Sequence, residues 1–199
     1  MASKMRFTRT QIIEMLRLAL ILFAITAIVA LLLSSVNELT AKKIQDGKLA
    51  AVKTAMQQVL PADTYEQVND IKNLGVDPCV LEVHAAKKGS EDVGYCVKVA
   101  PRGYGGEISM IVGIDNDVHV TRVNIVSMAE TAGLGTKVAN DDFLAQFDKK
   151  GDDLALSTSV TPKDNEISAI AGATKSSKAV TTGVQAAIGA VINIKGAVQ

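Results

Sequence analysis

Three hydroxyls surround a lysine in the stretch Ala171-Gly172-Ala173-Thr174-Lys175-Ser176-Ser177. It lies between a short apolar run, Glu166 to Ile170, and an apolar stripe that begins at Val180. A strand, a turn of small residues and a hydroxyl-rich helix start together make an anion site. The unpaired N–H groups and the positive end of the helix can hold a phosphate. The pattern GxxxxGK[ST] is absent, and no Gly-Lys pair precedes the hydroxyls, so this is not a Walker loop. Plain N-capping by Thr174 or Ser176 accounts for the same residues, and the local pattern leaves both readings open.

Two other glycine-containing stretches are candidates for binding. Arg102-Gly103-Tyr104-Gly105-Gly106-Glu107 stands directly before a strand-like run. Three glycines around one aromatic let backbone approach a flat ligand closely, or else they form a tight turn under a packed tyrosine. Glu130-Thr131-Ala132-Gly133-Leu134-Gly135-Thr136 follows another strand-like run, as a binding loop or as a long connection. The remaining reactive types are sparse. His84 and His119 sit singly, with no HExxH or paired-ligand spacing, so a metal site is unsupported and both read as solvent-facing strand residues. Cys79 and Cys96 flank a hairpin candidate and could face each other across it, reduced or as a disulfide. No base is arranged for a cysteine nucleophile.

The elements that must position these groups follow from periodicity. Runs at Val80 to Ala85, Tyr95 to Ala100, Glu107 to Ile114 and Val118 to Val126 read as strands. The first pair is joined by Lys87 to Asp92 and the second by Asp115, Asn116 and Asp117, and such short connections imply antiparallel pairing. A short helix is expected from Asn140 as N-cap, with Asp141 and Asp142 in its first turn and Phe143, Leu144 and Phe147 facing inward. Lys149 to Asp153 reads as a loop. The last helix runs from about Ser176 to Ile194, with Val180, Val184, Ala187, Ile188, Val191 and Ile192 on one stripe. Leu49, Val52, Met56 and Val59 are at helical spacing before Pro61, and Gly47 is a candidate break ahead of them. The fold class is therefore α+β, an antiparallel sheet packed by helices.

Ahead of this body stands a leader without glycine. Leu18 to Asn37 carries no charge for 20 residues. As a helix it spans roughly 30 Å, the thickness of a bilayer core. It shows no polar face, as a core helix would. It is also longer than the roughly 7 to 15 apolar residues of a signal peptide, although Ser34 and Ser35 offer small residues for cleavage. The expected organisation is a cytoplasmic tail at 1–17, a transmembrane helix at 18–37 and an extracytoplasmic domain at 38–199. Lys4, Arg6, Arg9 and Arg17 precede the span while Lys42, Lys43, Lys48 and Lys53 follow it, so local charge does not decide orientation. A short basic tail is nonetheless easier to retain than a domain of this size.

The whole chain balances 21 basic against 21 acidic residues. The part from Glu38 onward holds 17 and 20, mildly acidic, which argues against nucleic acid as a partner.

Taken together, GYGG before a strand, ETxGLG after a hairpin and GATxSS opening the final helix, in that order behind an anchor, resemble the covalent-FMN-binding domain family. That family includes the G subunits of Rnf-type ion-translocating ferredoxin:NAD oxidoreductase complexes and the C subunits of the sodium-pumping NADH:quinone oxidoreductase. The likeness covers nearly the whole chain and is greatest to the former. It implies FMN esterified through its phosphate to Thr174 within Gly172-Ala173-Thr174, by a separate flavin transferase. It also implies cofactor contacts from Ser176 and Ser177, from Tyr104, Gly105 and Gly106, and from Glu130, Thr131, Gly133, Leu134 and Gly135. Ala171 stands where the family usually has Ser or Thr, and Ala132 where Pro is common. Neither change removes the acceptor hydroxyl. The implied function is a membrane-anchored electron relay beside other membrane subunits, with no acid/base or hydride-binding constellation of its own. A membrane-tethered binding or sensor module without redox chemistry is the alternative from another class.

Overall fold

The computed structural model describes residues 9–69, 71–158 and 163–198. Residues 1–8, with Lys4 and Arg6, and the terminal Gln199 lie outside the described residues. The chain divides into two compact units, one ending at Leu49 and the other beginning at Ala50.

The described residues of the first unit belong to helix α1, which as a whole runs Arg9–Val59. It is long and apolar enough to cross a membrane, and the apolar window is not buried against protein. Leu18, Leu20, Phe23, Leu31 and Leu33 are all exposed. Such an array is stable only where the solvent is itself apolar, which fits a single-pass anchor. The break expected at Gly47 is not there: the helix continues through it. One glycine costs a helix only about 1 kcal/mol, and the strong helix formers Lys48, Leu49, Ala50 and Ala51 follow this one.

In the second unit the final turns of α1 bury Ala55, Met56 and Val59 with Leu60, Ala62, Ala86, Cys96 and Ile111, whereas Leu49 is exposed. That cluster covers one face of an antiparallel meander. Its strands are β1 (Thr64–Gln67), β2 (Val80–Lys88), β3 (Glu91–Val99), β4 (Ile108–Asp115) and β5 (Val120–Met128), paired in chain order. The four strands expected from alternation are β2 to β5. The edge strand β1 leaves no signal in the sequence because four polar-rich residues, Thr64-Tyr65-Glu66-Gln67, carry no apolar period.

The opposite face of the sheet carries helix α3 (Thr174–Val198). Val180, Val184, Ala187, Ile188 and Val191 pack there with Val97, Val99, Ile108, Met110 and Val112. Ile192, expected on this stripe, is exposed, and Ile194 is buried in its place. Helix α3 comes so close to the sheet that a Cβ at Gly183 would collide with Met110 Cε and with the Pro101 ring.

Between β5 and α3 lies the short helix α2 (Asp141–Leu144), with Phe143, Leu144 and Phe147 buried as expected. Asn140 occupies the N-cap position but makes no side-chain cap bond. Its carbonyl accepts from the N–H groups of Phe143 and Leu144 instead. A parallel pair, β6 (Ala155–Ser157) and β7 (Glu166–Ser168), completes the unit. Three-residue strands are too short to show alternation, and β6 has no signal at all.

The register also separates the cysteines. Cys96 lies opposite His84, while the Cys79 carbonyl accepts from Ala100 N–H beyond the end of the β2–β3 ladder. They do not face each other, and both are free. Burial pushes each thiol up to about 12, which leaves neither as a nucleophile. His84 is partly buried and bonded to Glu82 at 3.2 Å rather than facing solvent, whereas His119 is exposed. Among the described residues no cluster of His, Cys, Asp and Glu is suited to a metal.

Candidate functional site

The three glycine-containing stretches converge at the N-terminal end of α3. The sheet brings them together, because the first enters β4, the second leaves β5 beside it, and α3 crosses that face. They line one cleft of about 470 Å³. Tyr104 comes from the first stretch. Glu130, Thr131, Leu134 and Gly135 come from the second. Gly172, Ala173, Thr174, Lys175 and Ser176 come from the third. Gly105, Gly106, Gly133 and Ser177, also expected at the site, do not line the cleft. Gly106 closes the turn by accepting from Gly103 N–H at 2.7 Å. Gly133 N–H donates to Thr136 Oγ1 at 3.0 Å.

The fastening between the stretches is Glu130. Its Oε1 accepts from the backbone N–H groups of Tyr104 and Gly105 at 2.9 and 3.0 Å, and its Oε2 accepts from Ser176 Oγ at 2.5 Å. The carboxylate thus ties all three segments, and both oxygens are engaged by the protein. Its part in the site is to position the loops. A Cβ at Gly135 would collide with Glu130 Oε2 and stand 2.9 Å from Ser176 Oγ, so the tie requires glycine there. The glycines of the first stretch are likewise occupied by protein. A Cβ at Gly103 would run into Glu130 Oε1, and one at Gly105 into the Ala129 carbonyl oxygen. The close approach they permit is to this chain's own atoms.

The hydroxyls of α3 divide by environment. Ser177 is fully buried, accepts from Ile170 N–H at 3.1 Å and donates to the Ala173 carbonyl. Ser176 is 2% exposed and bound to Glu130. Thr174, the first residue of α3, is exposed to the cleft, and its hydroxyl has no protein partner among the described residues. It therefore does not cap the helix. The preceding Ala173 has no side-chain acceptor, so the first-turn N–H groups receive no cap from it. Gly172 makes the bend into the helix at φ +79°, a conformation that costs glycine nothing.

The apolar wall is exposed to an unusual degree. Tyr104 is 70% exposed and Leu134 48%. Lys175 Nζ lies 5.6 Å from the Tyr104 ring centroid. In the sequence the lysine is merely the residue between the threonine and the serines. Its place in the cleft lining and its contact with Tyr104 assign it to the site. An apolar platform, a free hydroxyl and an uncapped helix start together suit a flat, phosphate-bearing ligand. Two other clefts, of about 570 Å³ by Arg122 and Asp148 and about 610 Å³ by Val68 and Pro78, receive none of the three stretches.

Comparison with known proteins agrees with this geometry. The profile of the FMN-binding domain family matches residues 103–189. The G subunit of the Na(+)-translocating ferredoxin:NAD(+) oxidoreductase complex of Acetobacterium woodii is 37% identical over 186 residues, covering 86% of this chain and 89% of that protein. The G subunit of the proton-translocating ferredoxin:NAD(+) oxidoreductase complex of Clostridium ljungdahlii is 39% identical over 138 residues, covering 68% of each. In fold, the chain resembles the crystal structure of Shewanella oneidensis NqrC, with a TM-score of 0.50 at 16% identity, covering 73% of this chain and 74% of that one.

Proposed function

The chain belongs to the family of G subunits of ion-translocating oxidoreductase complexes, and on that premise we propose that it relays electrons through FMN esterified to Thr174. It does so as a membrane-anchored subunit of a ferredoxin:NAD(+) oxidoreductase complex, beside the other subunits of that complex. The observation that carries the covalent reading is the Thr174 hydroxyl, the one α3 hydroxyl of Thr174, Ser176 and Ser177 without a protein partner, at an uncapped helix start in the cleft where the three motifs meet.

Bound FMN supplies the one- and two-electron chemistry. The protein's own groups do the rest. Thr174 Oγ provides the ester oxygen. The first-turn N–H groups of α3 and the positive end of its dipole stabilise the phosphate charge. Tyr104 and Leu134 offer the exposed apolar surface against which a planar ring is held. Glu130 keeps the loops in place without spending its charge on the ligand.

A flavin transferase would install the ester, as an extracytoplasmic domain has no cytoplasmic FMN pool from which to replace lost cofactor. The reading predicts that the purified wild-type chain, co-expressed with such a transferase, keeps its flavin absorbance after denaturation and gel filtration. A chain from which all flavin washes away on unfolding would defeat the ester reading, and one that never acquires any would favour the tethered sensor. Against the quinone-reductase counterpart, whose fold likeness rests on 16% identity, stands the 37% identity to a component of a ferredoxin:NAD(+) complex.

The placement of the anchor at 18–37, with residues 1–17 cytoplasmic and 38–199 outside, is part of the proposal. It is supported by the uncharged span and the short basic tail. Reporter fusions at the C-terminus test it: a periplasm-active reporter is expected to be active and a cytoplasm-active one silent. The reverse pattern would place the domain inside.

A further inference from the structure

Among the described residues Lys175 is the one cation lining the cleft, and nothing in the relay proposed above assigns it a task. Among the described residues it makes no ion pair. The acid in the same cleft, Glu130, has both oxygens engaged by Tyr104, Gly105 and Ser176. The Lys175 ammonium rests instead at 5.6 Å from the Tyr104 ring centroid, on a residue that is itself 70% exposed. A cation over an exposed phenol ring is held weakly and gives way to a nearby anion. The contact also sets its direction: the side chain extends toward Tyr104, the apolar platform of the cleft.

We infer that Lys175 is the electrostatic partner of the reduced flavin ring, a positioning and potential-setting residue that compensates the negative charge arriving with electrons. This rests on the reading of the cleft as the FMN site. The charge balance is simple. Reduction by two electrons from dithionite, with one proton taken from water, would leave bound FMN one negative charge richer than when oxidised. A Lys175 ammonium released from the Tyr104 face would be free to compensate that charge from within the cleft. No bond forms or breaks at the lysine. Its charge stabilises the reduced ring over the neutral oxidised one and so raises the midpoint potential. Because the cleft opens to solvent, salt weakens the effect, screening charges over about 10 Å at 0.1 M.

The test is reductive titration with dithionite of the full chain in detergent at low ionic strength, with flavin per chain quantified by mass spectrometry. Wild type, Lys175→Gln and Lys175→Arg are compared. The expected result is that all three carry flavin, that the midpoint potential of Lys175→Gln shifts negative, that Lys175→Arg restores it, and that added salt narrows the gap. A merely structural lysine would leave the potential in place. An unchanged potential in flavin-loaded Lys175→Gln overturns the inference, as does a Lys175→Arg potential as negative as that of Lys175→Gln. Loss of flavin attachment in Lys175→Gln alone also overturns it, since the lysine would then serve attachment. Failure of the functional reading is seen separately, in the wild type. If its flavin is bound but released on denaturation, the ester reading falls while the same comparison of potentials still decides the lysine. If no flavin binds, both fall.

Discussion

Thr174→Ala is expected to give a folded chain with no covalent flavin. The hydroxyl it removes makes no hydrogen bond to the described residues, so the substitution forfeits no cap and costs well under about 1 kcal/mol of stability. The chemistry, by contrast, is all or none, because the ester needs an oxygen at that position. The neighbouring serines cannot take over. Ser177 is fully buried with its hydroxyl bonded on both sides, and Ser176 is 2% exposed and held by Glu130. Thr174→Ser, which keeps an oxygen at the same place, should restore the attachment. Mass spectrometry of the peptide spanning 167–178, from chains matured with the transferase, reads the outcome directly. Covalent FMN on folded Thr174→Ala protein would refute the assignment.

Glu130→Ala should be the most damaging single change among the cleft residues. It removes an acceptor of three hydrogen bonds that join segments 25, 26 and 46 residues apart. Bonds to a charged acceptor are worth roughly 1.5–3 kcal/mol each, but water reaches the loop N–H groups of the exposed Tyr104 turn once the carboxylate is gone. A net loss of about 2–4 kcal/mol is expected, lowering Tm by roughly 5–15 °C for a domain of this size. Flavin loading should fall with it, since the cleft walls are no longer tied. Glu130→Gln should be much milder. Its amide oxygen can accept from both N–H groups while its NH2 donates to Ser176 Oγ. Calorimetry together with flavin content distinguishes the two variants. Equal stability of Ala and Gln would mean that the tie contributes nothing.

These two residues also mark how far the amino-acid sequence can be read. Thr174 is legible as a candidate because its setting is local: small residues, then hydroxyls, then an apolar stripe, contiguous from Ala171 to Val180. Glu130 is legible only as a member of a glycine motif, with contact to the cofactor implied by resemblance. Its bonding to the other two stretches depends on which strand ends lie side by side. Ser177 reads the same as Ser176 in sequence, and only packing separates the buried staple from the bonded rim. Gly103, Gly105 and Gly135 look like space left for a ligand, whereas most of that space is filled by Glu130 and the backbone of Ala129.

The span of 20 uncharged residues, the four central strands and the final helix were legible in the sequence alone. Each is written in the periodicity or hydropathy of a contiguous segment, where covalent geometry limits the answers to a few. The tertiary structure decided the rest. It drew three distant motifs around one cleft, gave Glu130 to the loops and Lys175 to the Tyr104 ring, and kept Cys79 from Cys96 by register. It also added strands too short to show a period. Those outcomes depend on contacts between residues far apart in the chain, which exist only once sheet order and helix placement have brought their atoms within reach.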